Sequence, residues 1–234
     1  NGLPVIESEE LFANDSKIFV REGSVVEYKG MKMPKISETK SMMCIFTEED
    51  EIKDAYKQIM HIHFMSNIGN VRKSVPVSWL TEHKDNFKNQ EELINSNFSA
   101  IYKLAMAYEL GFEIVQEIKE VYIDIFHQVE DVRFDIDKDK DVCYLSIKEH
   151  STDWIGQEGV SSGMYKTLMF LAEIYLLKSD SVVLIDEFEN SLGNNCIASV
   201  ADVINSNDRD MQFIITSHHP YIINNIDVSN WKIV

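Results

Sequence analysis

The stretch SDSVVLIDEFENSLGNN, residues 179–195, decides how the rest of the sequence is interpreted. Within it, four apolar residues at positions 182–185 lead directly into two adjacent carboxylates, Asp186 and Glu187. A short apolar run bounded by polar residues predicts a buried strand, and a carboxylate pair at its tip is costly unless something uses the charges. One carboxylate can hold Mg²⁺ while the next orients or deprotonates a water molecule. The alternative interpretation is an ordinary polar strand end.

Length and composition predict a globular chain with an acidic surface. The 234 residues are 44% apolar and 26% charged, which is ordinary for a packed protein. The formal charge of −17 argues against a broad phosphate-binding surface, so contacts with nucleic acid would need other segments or a partner. No apolar run approaches the ~20 residues of a membrane span, and the first residues lack the basic and apolar regions of a secretory signal. We therefore predict no membrane association.

The three cysteines, Cys44, Cys143 and Cys196, are widely spaced and odd in number. They form neither a disulfide framework nor a zinc pattern, and we interpret each as a small core residue. A reducing, cytoplasmic location fits this usage. The chain has no initiator Met, and it reads as if it begins within a longer protein.

The hydrophobic periodicity changes along the chain and predicts a mixed α/β fold. Alternating residues predict an antiparallel hairpin at 9–30 and another at 131–150, and helical spacing follows Thr47. A loop is predicted at 69–80, and a helical region at 90–128 that breaks near Gly111. The last part predicts a helix at 162–178, a strand at 182–185, a helix at 194–206 and a strand at 212–217. Strand, helix and strand in this order predict two parallel strands.

Two further motifs flank the acidic strand. Upstream, in VSSGMYKTL, Ser161, Ser162 and Gly163 open an apolar helix, whose free N–H groups and dipole attract anions. The simpler interpretation is that these residues only cap the helix. Downstream, in FIITSHHP, Thr216 and His218 end a second apolar strand, where a histidine can donate a hydrogen bond to a phosphate. The simpler interpretation of this histidine is an ordinary loop residue.

In order and spacing, the three motifs resemble those of ATP-binding-cassette (ABC) ATPases of the branch that contains RecF, the structural-maintenance-of-chromosomes (SMC) heads and the overcoming-lysogenization-defect (OLD) proteins. SSGMYKTL resembles the signature motif, VVLIDEFENSL the Walker B motif with its D-loop, and IITSHHP the switch-histidine loop. Within this branch, the segments IDEFENSL and TSHHPYII are most similar in sequence to those of ATPases of bacterial anti-phage systems. The resemblance implies an α/β ABC-type head with a parallel-strand core. Its implied domains are a β-subdomain at 1–46, a helical lobe at 47–130 and a signature, Walker B and switch part at 131–234.

The resemblance also implies roles for particular residues, with ATP and Mg²⁺ as the cofactors. Glu187 would be the catalytic base, Asp186 the Mg²⁺ carboxylate and His218 the sensor of the γ-phosphate. Two copies would bind ATP head to tail, and hydrolysis would gate an effector such as a nuclease or toxin. The remaining implied residues are the trans-acting phosphate donors Ser161, Ser162 and Gly163, and the D-loop residues Asn190 and Ser191 at the dimer interface.

One motif of the family, the P-loop GxxxxGK[ST], does not occur in the 234 residues. In the family it precedes the β-subdomain, so we expect it upstream of Asn1 and expect the isolated chain not to bind ATP. Two alternatives remain open. The chain could be a non-catalytic regulatory module, or the head of a DNA-repair or chromosome-organising ATPase, although the region 90–128 lacks the sustained heptads of coiled-coil arms.

Overall fold

The computed structural model describes residues 4–65, 69, 71–192, 196–206 and 210–225. Its strands are β1 (Ser8–Ala13), β2 (Ser16–Glu22), β3 (Val25–Tyr28), β4 (Met31–Lys32), β5 (Ile62–Met65), β6 (Val129–Asp137), β7 (Val142–Glu149), β8 (Trp154–Gly156), β9 (Val182–Ile185) and β10 (Gln212–Ile215). Its α-helices are α1 (Met42–Ile45), α2 (Asp50–Met60), α3 (Val77–His83), α4 (Gln90–Ile94), α5 (Ala100–Leu110), α6 (Ile114–Ile125), α7 (Ser162–Tyr175), α8 (Ile197–Asn205) and α9 (Pro220–Asn225). The contacts divide the chain into two compact units, Asn1–Ile62 and His63–Val234.

The first unit is built on an antiparallel sheet with strand order β1-β2-β3-β4. The predicted hairpin at 9–30 is confirmed, and the sheet continues through the two-residue strand β4. Gly23, with a φ of +55°, lies in the turn between β2 and β3, where a Cβ would be strained. The helix predicted after Thr47 is α2. A small apolar core is formed by Ile18, Phe19, Val26, Tyr28, Met42 and Ile52.

The second unit contains β9 and β10, which belong to a three-stranded sheet with the order β10-β9-β5. Strands β9 and β10 pair in parallel, with Val182 opposite Gln212 and Ile185 opposite Ile215, as the strand-helix-strand pattern predicts. Val183 and Ile185 are buried in the core of this unit. A separate antiparallel sheet, β6-β7-β8, confirms the second predicted hairpin. The molecule is therefore a mixed α/β fold with a parallel sheet and antiparallel sheets, as predicted.

Helices of the second unit differ in part from the prediction. The segment 69–80 was expected to be a loop, but α3 begins within it at Val77 because Leu80 packs into the core. The region 90–128 contains three helices, α4, α5 and α6, rather than one interrupted helix. Gly111 ends α5 in the left-handed conformation with a φ of +68°, which confirms the predicted break.

Helix α7 is the most deeply buried helix of the second unit among the described residues, since nine of its fourteen residues are buried. Its apolar side chains pack against α5 and α6, and Phe170 and Leu171 are fully covered. This burial explains why the sequence is apolar around most of the helix. Among the helices the structure describes, we find none that is long and apolar enough to cross a membrane.

Candidate functional site

The carboxyl ends of β9 and β10 meet at one edge of the parallel sheet. Beyond the strands the ladder continues, since Thr216 N donates to Ile185 O at 2.9 Å and Phe188 N donates to Thr216 O at 3.0 Å. These bonds hold Asp186 and Glu187, which follow β9, beside Thr216, which follows β10. Both carboxylates are exposed. The pair therefore stands at the rim of the sheet rather than in the core.

The hydroxyl of Thr216 connects the two acidic residues. Its Oγ1 accepts a hydrogen bond from the Glu187 backbone N–H at 2.8 Å and donates one to Asp186 Oδ1 at 2.7 Å. One side chain thus fixes both the backbone of Glu187 and the orientation of the Asp186 carboxylate. The sequence placed Thr216 at the end of the second strand but assigned it no role, because the strand register that aligns Thr216 with the pair is not visible in the sequence.

Glu187 has an unusual backbone, with a φ of +49° and a ψ of +64°. A residue with a Cβ in this left-handed region costs of the order of 1–3 kcal/mol, and such residues cluster at functional sites. Its Oε2 accepts a short hydrogen bond from Asn190 Nδ2. The backbone and the amide together hold the exposed carboxylate in one orientation.

The residues after Glu187 form a 3-10 turn, Phe188–Ser191. Phe188 is fully buried and meets Phe170 of α7 edge to face, with ring centroids 5.7 Å apart. Lys166 Nζ, also on α7, donates to Asn190 O at 3.5 Å. The turn is therefore anchored on the helix that begins at the signature-like motif. The Ser191 side chain, which the resemblance places at a dimer interface, lies outside what the structure describes.

Glu189 binds the loop that carries the histidine. Its carboxylate accepts hydrogen bonds from Ser217 Oγ and from the His218 backbone N–H, each at 2.8 Å. Burial raises the pKa of Glu189, but bonds from its own N–H, from His218 N and from the Ser217 hydroxyl, with the charge of His218, bring the pKa below its ordinary value. The sequence assigns Glu189 no functional role. Its only signal was a third acidic residue two positions after the Asp186-Glu187 pair.

Helix α7 begins with the three residues predicted to bind phosphate. Ser161 is the N-cap, and its Oγ accepts a hydrogen bond from Met164 N at 3.2 Å. Ser161 and Ser162 are exposed, while Gly163 is half-buried and its carbonyl accepts from Thr167 Oγ1 at 2.9 Å. In the described ranges, no hydrogen bond joins these residues to the carboxylate pair. The structure therefore has two groups of predicted residues, connected through the body of α7.

The oxygen ligands present at the strand ends fit a hard cation that keeps most of its water. Mg²⁺ is typically held by one or two carboxylates together with phosphate oxygens and water. Within the described residues, no group of three or more His, Cys, Asp or Glu side chains could hold a metal by itself. Asp186 has one oxygen fixed by Thr216, and no hydrogen bond is described for its other oxygen, Oδ2. This arrangement suits a cation shared with a phosphate ligand.

Two SMC heads are among the solved structures to which the chain is similar. The chain is similar to an SMC head bound to the C-terminal winged-helix domain of ScpA, with 14% identity, a TM-score of 0.49, and coverage of 92% of this chain and 64% of that one. It is also similar to a Pyrococcus furiosus SMC head with an extended coiled coil, with 15% identity, a TM-score of 0.45, and coverage of 92% and 74%. No curated protein matches the chain. The family model described as "AAA domain, putative AbiEii toxin, Type IV TA system" matches residues 49–224, well over half of the sequence, and the chain therefore belongs to this family of AAA-type ATPases.

Proposed function

We propose that this chain carries the water-activating half of an ATP hydrolase, with Glu187 as the general base and Asp186 as the carboxylate for Mg²⁺. The observation that supports this assignment most directly is the Thr216 hydroxyl, which bonds Glu187 N and Asp186 Oδ1 at once. A polar strand end without a function has no need to fix two adjacent exposed carboxylates. Membership of an ATPase family makes ATP the expected substrate.

The geometry around Glu187 suits the abstraction of a proton from water. Asn190 Nδ2 donates to Oε2, so Oε1 of the same carboxylate remains to accept the proton of an attacking water. Mg²⁺ bound with ATP would neutralise phosphate charge, and Asp186 is the residue here that would hold it. The backbone N–H of His218 is bonded to Glu189, and the exposed ring of His218 can donate a hydrogen bond to a phosphate oxygen.

A head-to-tail homodimer accounts for the second group of residues. Ser161, Ser162 and Gly163 stand at the exposed start of α7 and are not bonded to the carboxylate pair. Because the Ser161 Oγ accepts from Met164 N, its own proton remains available for a phosphate oxygen. The helix dipole adds to this attraction. We place these residues against the nucleotide held by the partner copy, with Asn190 and Ser191 at the interface between the two copies.

Hydrolysis in this assembly would act as a switch for an effector protein, a nuclease or toxin, in anti-phage defence. One support is that the sequences of the Walker B and switch motifs resemble those of anti-phage ATPases. The other is the family description, which includes a putative toxin of a type IV toxin–antitoxin system. The net charge of −17 favours a protein effector over direct binding of nucleic acid by this chain. A cytoplasmic location fits the three unpaired cysteines.

The decisive experiment is Glu187→Gln in the ATP-hydrolysing protein that contains this chain. The amide keeps the shape of the side chain and removes the base, so hydrolysis should fall by roughly 10²- to 10⁴-fold while ATP remains bound. Glu117→Gln, an exposed carboxylate on α6, is the matched control and should leave the rate unchanged. Turnover of the Glu187 variant within a few-fold of wild type would remove Glu187 from the role of base.

The trans arrangement is tested separately with mixed dimers. A copy carrying Ser161→Arg should disable the nucleotide site of its wild-type partner and leave its own site competent. Mixing this variant with Glu187→Gln copies should then give heterodimers in which both defects fall on the same site, and the other site remains active. Each variant alone should be inactive, so a mixture of the two that recovers no activity would contradict the composite site.

A further inference from the structure

We propose that Glu189 is a positioning residue for His218, which holds the backbone of the histidine loop so that the ring faces the site. The inference rests on the proposed function, because it assumes that His218 acts on bound nucleotide. It goes beyond that function by assigning a role to a residue in the turn after the Asp186-Glu187 pair. The main observation behind the inference is that the Glu189 carboxylate accepts hydrogen bonds from both Ser217 Oγ and His218 N, each at 2.8 Å.

Glu189 is itself held in place, which a positioning residue must be. It belongs to the turn Phe188–Ser191, and the neighbouring Phe188 is fully buried against Phe170. The Phe188 N–H donates to Thr216 O, immediately before the loop that Glu189 binds. The carboxylate is thus presented to residues 217–218 from a fixed base. It orders an otherwise exposed segment that follows the last residue of β10.

The hydrogen bonds of Ser217 extend the effect of Glu189 along the loop. Ser217 Oγ donates to Glu189 and accepts from His219 N at 3.1 Å. Through this hydroxyl the carboxylate is connected to residues 217 and 219, on both sides of His218, and it accepts a hydrogen bond directly from the His218 amide. Hydrogen bonds that involve a charged partner are about twice as strong as neutral ones. The backbone of His218 therefore has a defined position before any ligand is present.

The turn Phe188–Ser191 also holds the proposed base, Glu187, through a second residue, Asn190. Asn190 donates to the Glu187 carboxylate, while Glu189, next to it in sequence, holds the histidine loop. The base and the histidine are therefore both supported by one turn that is packed on α7. A displacement of this turn would move the two groups together, which separate loops would not do.

The first measurement is hydrogen exchange of the amides at 217–219, which needs no nucleotide. Glu189→Ala should raise their exchange, most strongly at His218, by roughly 10- to 100-fold, because hydrogen bonds to a charged acceptor are among the stronger ones in proteins. Glu189→Gln can still bond both partners and should stay within about threefold of wild type. Ser217→Ala removes the bonds of the Ser217 hydroxyl with Glu189 and with His219 N but keeps the bond from His218 N to Glu189. It should therefore raise exchange at 219 more than at 218, and it replaces Glu189→Ala if that variant does not fold. Glu117→Ala is the exposed control.

The second measurement separates positioning from a purely structural role. In the ATP-hydrolysing protein, Glu189→Ala should lower kcat by about tenfold, with KM for ATP within twofold, and Glu189→Gln should restore most of the rate. Unchanged exchange at 217–219, faster exchange with unchanged kcat, or a uniform rise in exchange throughout the second unit would each overturn the proposal. If Glu187→Gln keeps its activity, the proposed function fails, whereas the exchange result still reports on Glu189 alone.

Discussion

Two polar networks in this chain use similar hydrogen bonds in opposite settings. In the first unit, Arg21 is fully buried. Its Nε donates to Gly23 O at 2.6 Å, its Nη2 to Ser37 O at 2.8 Å, and its Nη1 to Lys40 O. Glu9 Oε2 lies 3.6 Å from Nη1 and balances the charge. The network fastens the loop after β4 to the sheet and keeps the guanidinium shielded from solvent.

At the strand ends of the second unit, the network of Asp186, Glu187 and Thr216 is exposed. Each carboxylate is oriented by one described side-chain donor and retains an oxygen for another partner. Removing a buried charged partner leaves unpaired groups in a low dielectric, whereas an exposed carboxylate is solvated whether or not its donor is present. We therefore expect changes to the Arg21 network to affect stability, and changes at the strand ends to affect turnover.

The largest effect is expected from Arg21→Met, which leaves three carbonyls and Glu9 without their cation. We expect the first unit to lose about 3–5 kcal/mol of stability. The measurement is urea-dependent hydrogen exchange of amides in residues 4–62. Lys17→Met, an exposed residue of the same strand, is the control. Equal stability of the two variants would show that the buried network does not hold the unit together.

A smaller effect, on rate rather than stability, is expected from Thr216→Val. The substitution keeps the shape of the side chain and removes the hydroxyl that connects Glu187 N with Asp186 Oδ1. We expect kcat to fall about 10- to 100-fold, while the free energy of unfolding changes by less than about 1 kcal/mol. Thr216→Ser should recover most of the rate. A loss of stability without a loss of rate would reverse the comparison between the two networks.

Lys103 sharpens the comparison because it is buried like Arg21 but can lose its charge. Its Nζ donates to Ile94 O at 2.6 Å and Leu176 O at 3.1 Å. Burial first, and then Lys178, lower its pKa to about 8, while Glu173 acts in the opposite direction. Between pH 8 and 10.5 the unfolded chain binds more protons at this position than the folded chain, so stability should rise with pH across this window.

The measurement is urea denaturation from pH 7 to pH 10, comparing wild type with Lys103→Met. Above pH 8 the free energy of unfolding of wild type should rise relative to that of Lys103→Met by roughly 1 kcal/mol per pH unit. Below pH 8 the difference between the two free energies should be constant. Lys88→Met, at an exposed position, should give a difference that does not change with pH. A constant difference for Lys103→Met as well would mean that its amine stays charged.

The smallest effect is expected from Asn190→Ala, which releases Glu187 Oε2 at an exposed position. Because water can replace the amide, we expect kcat to fall only about threefold, with no measurable change in stability. Single-turnover hydrolysis gives the rate of the chemical step directly. An increase in this rate would contradict the positioning role, since it would mean that Asn190 restrains the base rather than orients it.

The elements that carry the site were predictable from the sequence because they depend on local patterns. The apolar run that ends at Asp186 became β9, and the serine-glycine start became α7. The break at Gly111 followed from the freedom of glycine at positive φ. Helix α3 was missed because its seven residues contain too few turns for helical periodicity to stand out from a loop.

What the sequence by itself determined is the strand with its two carboxylates, the helix before it, the parallel partner strand and the acidic charge of the chain. Tertiary structure alone decided that Thr216 bonds residues 29 and 30 positions earlier, that Glu189 binds Ser217 and His218, and that Arg21 is buried among carbonyls. The physical reason is one of range. Periodicity and capping act over a few neighbouring residues, whereas these hydrogen bonds depend on strand register and packing between segments that the chain sequence does not place side by side.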